Sequence, residues 1–118
     1  MSIEWSARQR TRVNAAIRRY PVESAAYFAL ARRIRPTALE VDSGAGALHI
    51  TPVPPERCVI PLADAPAWAY HVTTTVAGHC VDAMTRADGV PEGEYLQRYF
   101  ETPERMHVTR TSEGLDRP

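Results

Sequence analysis

The stretch Ala67-Trp-Ala-Tyr-His-Val-Thr-Thr-Thr-Val-Ala-Gly-His-Cys-Val-Asp-Ala-Met-Thr85 decides how this chain is read. Residues 67–76 are rich in aromatic and β-branched side chains, the composition of a strand. Ala77-Gly78 reads as a two-residue hairpin turn, with residues 79–84 as the returning strand. A loop of that length sets the pairing: Val76 opposite His79, Thr75 opposite Cys80, Thr73 opposite Asp82 and His71 opposite Met84. Side chains alternate between faces, so His71, Thr73, Thr75, Cys80, Asp82 and Met84 share one face. Trp68, Tyr70, Val72, Thr74, Val76 and Val81 form the other, packed on the core. His71 and Asp82 become diagonal cross-strand neighbours, about 7 Å apart at Cα. A carboxylate on one imidazole nitrogen fixes the tautomer and leaves the other nitrogen as a general base. The argument depends on loop parity, because one extra loop residue sends His71 and Asp82 to opposite faces.

Upstream, residues 6–20 predict a helix with Ser6 as N-cap, an apolar stripe of Val13, Ala16, Ile17 and Tyr20, and Pro21 as the stop. A second helix is expected over 25–35, capped by Ser24 and ended by Pro36, with Ala26, Tyr27, Leu30, Ala31 and Ile34 on one face. Residues 37–42 alternate like a strand, 43–46 like a turn and 47–51 like a second strand, which predicts a hairpin. Cys58-Val-Ile60 reads as a short strand. Downstream, residues 91–100 predict an amphipathic helix with Tyr95, Leu96, Tyr99 and Phe100 inward, 106–111 a last strand, and the final residues a frayed tail. Helices followed by a meander of strands make an α+β domain, a single one over 1–118 with its core at about 6–111.

Composition narrows the function. Hydrophobic residues make up 44% and charged residues 24%, so a modest core is expected rather than disorder. No apolar run approaches the ~20 residues of a membrane span, and the N-terminus shows no signal-peptide pattern. Net charge is zero, which makes nucleic acid an unexpected partner. All 14 cationic residues are arginine, and they are segregated: residues 1–36 carry eight against Glu4 and Glu23. That basic N-terminal part is a solvated helix face or a surface for an acidic partner. No Cys or His pair has a recognised metal-ligand spacing, and Gly44 and Gly46 lie in a turn rather than before a helix, so neither metal nor cofactor is expected. Cys58, Cys80, His49, His79 and His107 read as packing or surface residues. A thiolate at Cys80 would be disfavoured by the neighbouring Asp82.

A base with its orienting acid needs a nucleophile. A Cys where the second helix begins would have its thiolate stabilised by the helix N-terminus and by a nearby imidazolium. Position 25 holds alanine, which cannot attack. Taken together, Glu-Ser-Ala25-Ala-Tyr-Phe-Ala-Leu-Ala, then His71-Val opening a strand, then Gly-x-x-Val-Asp82-Ala-x-Thr, then Gly89-Val-Pro-x-x-Glu-Tyr95 resembles the papain-like fold toxin domains of bacterial polymorphic toxins and secreted effectors. The resemblance covers roughly residues 12–101 and lies in the order and spacing of short motifs.

The resemblance implies a minimal papain-like fold, a catalytic Cys at position 25, His71 as general base and Asp82 as its orienting acid. It implies acyl transfer at a protein amide, either glutamine deamidation or peptide cleavage. It further implies an unidentified target protein, a cognate immunity protein, and secretion or delivery into a target cell as part of a longer effector. Ala25 is the departure. It is read as an introduced inactivating substitution, as a natural pseudoenzyme, or as a sign that the nucleophile lies elsewhere, at position 26 or at Ser24. Two other classes stand beside this one: a non-catalytic binding or immunity-type module using the arginine-rich helices, and a nuclease-like toxin using His71 and arginines on RNA.

Overall fold

A computed structural model describes residues 2–62 and 67–111. Its helices are Ala7–Arg19 (α1), Tyr27–Val41 (α2) and Glu92–Tyr99 (α3). Its strands are Gly46–Pro52 (β1), His71–Val76 (β2), His79–Val81 (β3), Val90–Pro91 (β4) and Met106–Thr111 (β5). The strands form one antiparallel sheet in the order β4-β3-β2-β1-β5. The fold is α+β with N-terminal helices, as the sequence predicts.

Alternation along the strands makes two cores. Val76 and Val81 point toward α1 and α2, where Val13, Ile17, Leu30, Ile34 and Ala38 pack on them. Leu48, Ile50 and Cys80 point the other way, toward Tyr95, Phe100, Val59 and Trp68. α1 begins as expected: Ser6 accepts from the Gln9 backbone N–H while the Gln9 side chain accepts from the Ser6 N–H.

The second helix differs from its reading. Val22–Ser24 form a single 3-10 turn, Ala25 is left-handed at φ 55°, ψ 21°, and Ala26 caps α2. The Ser24 hydroxyl donates to the Pro21 carbonyl and accepts from the Ala26 N–H, so it closes the turn rather than capping the helix. Pro36 does not end α2. The helix runs on to Val41 because Thr37 and Ala38 are buried on the same face as Leu30 and Ile34, and that burial outweighs the lost backbone bond. Residues 37–42 are therefore helix rather than strand, and no hairpin joins them to β1.

The β2–β3 hairpin forms in the expected register, with Val76 opposite His79, Thr75 opposite Cys80 and Thr74 opposite Val81. Ala77 and Gly78 both have positive φ, 50° and 76°, as a type I′ turn requires. The Asp42 carboxylate grips it from the end of α2, accepting the N–H of Ala77 at 2.8 Å and of Gly44 at 2.9 Å. β3 stops at Val81, three residues earlier than predicted, so the pairs Thr73–Asp82 and His71–Met84 do not form. Asp82 itself ends the strand: its Oδ1 accepts the N–H groups of Met84 and Thr85, a local turn that competes with the ladder. Cys58–Ile60 reduces to one bridge, Val59 with Trp68. β5 pairs along β1, and the predicted tail from 112 onward lies outside the described residues.

Candidate active site

Although the ladder ends early, His71 and Asp82 meet. His71 opens β2, and Asp82 follows the last residue of β3. Both are buried, and His71 Nε2 lies 3.4 Å from Asp82 Oδ2. Tyr95, reaching in from α3, joins them. Its hydroxyl donates to Asp82 Oδ2 at 2.5 Å and lies 3.0 Å from His71 Nε2. The sequence places Tyr95 only on the inward face of a helix. A buried phenol seeks a hydrogen-bond partner, but with Asp88, Glu92 and Glu94 closer along the chain nothing in the sequence pointed to Asp82 as that partner.

This network fixes the proton positions. The Tyr95 hydrogen is committed to the carboxylate, so the phenol oxygen presents a lone pair to His71. Both groups facing Nε2 are then acceptors, and Nε2 carries the ring hydrogen. Nδ1 is left as the lone-pair nitrogen, and it is buried with no hydrogen-bond partner among the described residues.

The electrostatics agree. Burial acts to raise the Asp82 carboxyl, but hydrogen bonds from His71 and Tyr95 and the attraction of the imidazole outweigh it and hold Asp82 below the ordinary carboxylate range. Asp82 is therefore ionised, with both oxygens doubly bonded: Oδ1 to two backbone N–H groups, Oδ2 to Tyr95 and His71. Burial, and then the Asp82 charge, push the Tyr95 phenol well above its ordinary value, which keeps it a donor.

Aromatic rings hold the imidazole in place. Trp68 stacks on His71 with centroids 4.6 Å apart and planes 14° apart, and Tyr27 meets it edge-on at 5.2 Å. This corrects the assignment of Trp68 to the face opposite His71. The chain bends between Trp68, in its bridge to Val59, and the start of β2, so strict alternation does not extend back through residues 67–70.

Position 25 lies at the same place. A narrow cavity is lined by His71, Asp82, Ala25 and Ala26, with Tyr27, Trp68 and Met84 among its apolar walls. Its volume is about 20 Å³, room for roughly one water molecule. Ala25 is solvent-exposed while His71 is buried, so a side chain at 25 reaches both solvent and the cavity. Ala25 is not the first helical residue, as the sequence suggested, but stands two residues before it in a left-handed conformation that alanine adopts at a cost of about 1 kcal/mol. The first intrahelical bond of α2 runs from the Leu30 N–H to the Ala26 carbonyl, leaving the N–H groups of the first turn without partners inside the helix.

The other candidates fall away from this centre. Cys80 is fully buried, and burial followed by the Asp82 charge pushes its thiol far above the ordinary value, so it packs as a small apolar residue. Cys58 is half-buried. His107 is exposed on β5. His79 is buried rather than on the surface, with Nδ1 at 2.8 Å from the Ala77 carbonyl, and His49 is half-buried with its ring edge-on to Tyr70.

Compared with protein-family models, curated proteins and solved structures, the chain matches none.

Proposed function

We propose that the chain is a papain-like toxin or effector domain acting on protein amides, by glutamine deamidation or peptide cleavage, in a form that lacks its thiol. One observation carries the reading: a buried imidazole, oriented by an ionised carboxylate through Nε2–H and keeping an unpartnered Nδ1, lines a cavity with exposed position 25. That is the arrangement of a general base waiting for a nucleophile.

With a thiol at 25, Nδ1 takes the S–H proton and the thiolate attacks the amide carbonyl carbon. The tetrahedral oxyanion is stabilised by unpartnered N–H groups at the start of α2. Collapse breaks the C–N bond, the nitrogen leaving with the proton from Nδ1. Water, deprotonated by Nδ1, then attacks the thioester carbonyl, the C–S bond breaks, and the acid leaves as Nδ1 returns its proton to the sulfur. Asp82 and Tyr95 hold the ring and stabilise the imidazolium. Alanine at 25 leaves binding without turnover.

The test is Ala25→Cys. The variant is expected to be alkylated by iodoacetamide at neutral pH roughly tenfold or more faster than a free thiol of ordinary pKa, and to hydrolyse amides. Both properties are expected to disappear on adding His71→Ala. Ala26→Cys is the control for position. An Ala25→Cys thiol whose alkylation ignores His71 refutes the proposal. A binding-module reading has its own support, because Arg8, Arg18, Arg19, Arg32, Arg33 and Arg35 pair with no carboxylate among the described residues. Growth inhibition or RNA degradation by the parent chain would count against both.

A further inference from the structure

The cavity at His71 admits only the reacting group, so the body of a substrate must lie elsewhere. A second, wider groove of about 590 Å³ adjoins it, and the two share Pro21, Val22, Ala83 and Met84 as a common wall. That volume is within the ordinary range for a ligand site. Beyond the shared wall the groove is lined by Arg18, Arg86, Glu23, Tyr99 and Ile17.

Two arginines share this groove, and among the described residues neither is neutralised by a neighbouring carboxylate. Arg10, Arg12, Arg105 and Arg110 each meet a carboxylate, whereas Arg18 and Arg86 meet none among the described residues. Arg86 is also fixed relative to Asp82, which orients the imidazole. Its backbone is left-handed at φ 65°, its N–H donates to the Asp82 carbonyl at 2.9 Å, and its own carbonyl accepts the Thr85 hydroxyl and the Gly89 N–H. The turn that sets Asp82 therefore also sets where Arg86 emerges. Against two guanidiniums the groove carries one carboxylate, Glu23, at the rim beside position 25.

We infer that the substrate is an extended protein segment with acidic side chains next to the reacting amide, and that Arg18 and Arg86 select it. The inference rests on the amide reading above and names its substrate class. Arginine suits a carboxylate because its fork of N–H donors matches the two oxygens. A protein segment fits better than a nucleic acid, since Glu23 would repel a continuous phosphate backbone and Tyr99 is the groove's single aromatic ring.

The test uses the parent protein, which binds without turning over. Labelled peptides with a central glutamine flanked by two glutamates, two serines or two lysines are titrated by fluorescence anisotropy, beside a uridine oligonucleotide of matched charge. The acidic peptide is expected to bind best. Arg18→Glu and Arg86→Asn, the latter keeping a residue that tolerates positive φ, should each weaken it roughly three- to fivefold at low salt. The serine peptide should be unaffected, and Arg8→Glu on exposed α1 should change nothing. Equal affinity for the three peptides, indifference to both groove variants, or tighter binding of the oligonucleotide overturns the inference. Histidine-dependent alkylation of Ala25→Cys is measured alongside. A reactive thiol without charge preference sinks the substrate class and spares the amide reading. Charge preference with an inert thiol supports the acidic-segment groove and sinks the amide reading.

Discussion

Replacing Tyr95 with phenylalanine removes one oxygen from the centre of the site. That oxygen donates at 2.5 Å to a fully buried carboxylate and faces the Nε2–H of His71 at 3.0 Å. Hydrogen bonds to charged groups contribute about 1.5–3 kcal/mol, and here the carboxylate keeps three other donors, so a loss of about 2 kcal/mol is expected. For a chain of 118 residues the unfolding entropy is roughly 0.25 kcal/mol/K, so the melting temperature should fall by about 8 °C. Calorimetry at pH 7 measures this, with Tyr99→Phe as the control, because the half-buried Tyr99 makes no comparable contact with Asp82. The phenol also helps to hold the Asp82 carboxyl low, so the acid unfolding midpoint of Tyr95→Phe should move to higher pH. A melting temperature within 2 °C of the parent, or no different from that of Tyr99→Phe, would refute the network as described.

Four further outcomes follow from the structure. Asp82 titrates lower folded than unfolded, so the unfolded chain binds more protons in acid, and stability present above about pH 4 should be lost as pH falls. Tyr95, with Tyr27 and Tyr99, titrates higher folded than unfolded, so stability should fall as pH rises past about 10, and Tyr95→Phe should blunt that alkaline loss. Gly89→Ala should cost about 2 kcal/mol or more in urea unfolding, since φ is +69° and a Cβ there meets the Cys80 carbonyl and the Ile3 side chain at 3.0 Å. Asp42→Ala should cost about 1–2 kcal/mol, and amide exchange at Ala77 and Gly44 should accelerate with it, because one carboxylate holds both N–H groups.

The hairpin was legible because its turn has two residues and both neighbouring runs are strand-like, which leaves one parity. From it came His71 and Asp82 on a shared site. The closeness of the pair arises differently from the extended ladder foreseen, since Asp82 leaves the sheet and turns back. Strand periodicity cannot register a side chain that ends its own strand. α2 past Pro36 was hidden for a related reason: Thr37, Leu39 and Val41 alternate over a short window, but Thr37, Ala38 and Val41 also continue the helical spacing from Leu30 and Ile34, and only the packed core decides between the two. Tyr95 and Trp68 escaped because each comes from a different element and reaches His71 only through tertiary packing.

Asp82 serves two masters. The carboxylate that orients an imidazole also terminates β3, anchors the bend to residue 85 and neutralises a buried donor cluster. A lineage that abandoned chemistry would still be penalised for discarding it. Retention of the histidine–aspartate couple in an alanine-bearing relative is thus poor testimony to activity, and the residue occupying position 25, where the fold constrains the backbone rather than the choice of a reactive side chain, is the better witness.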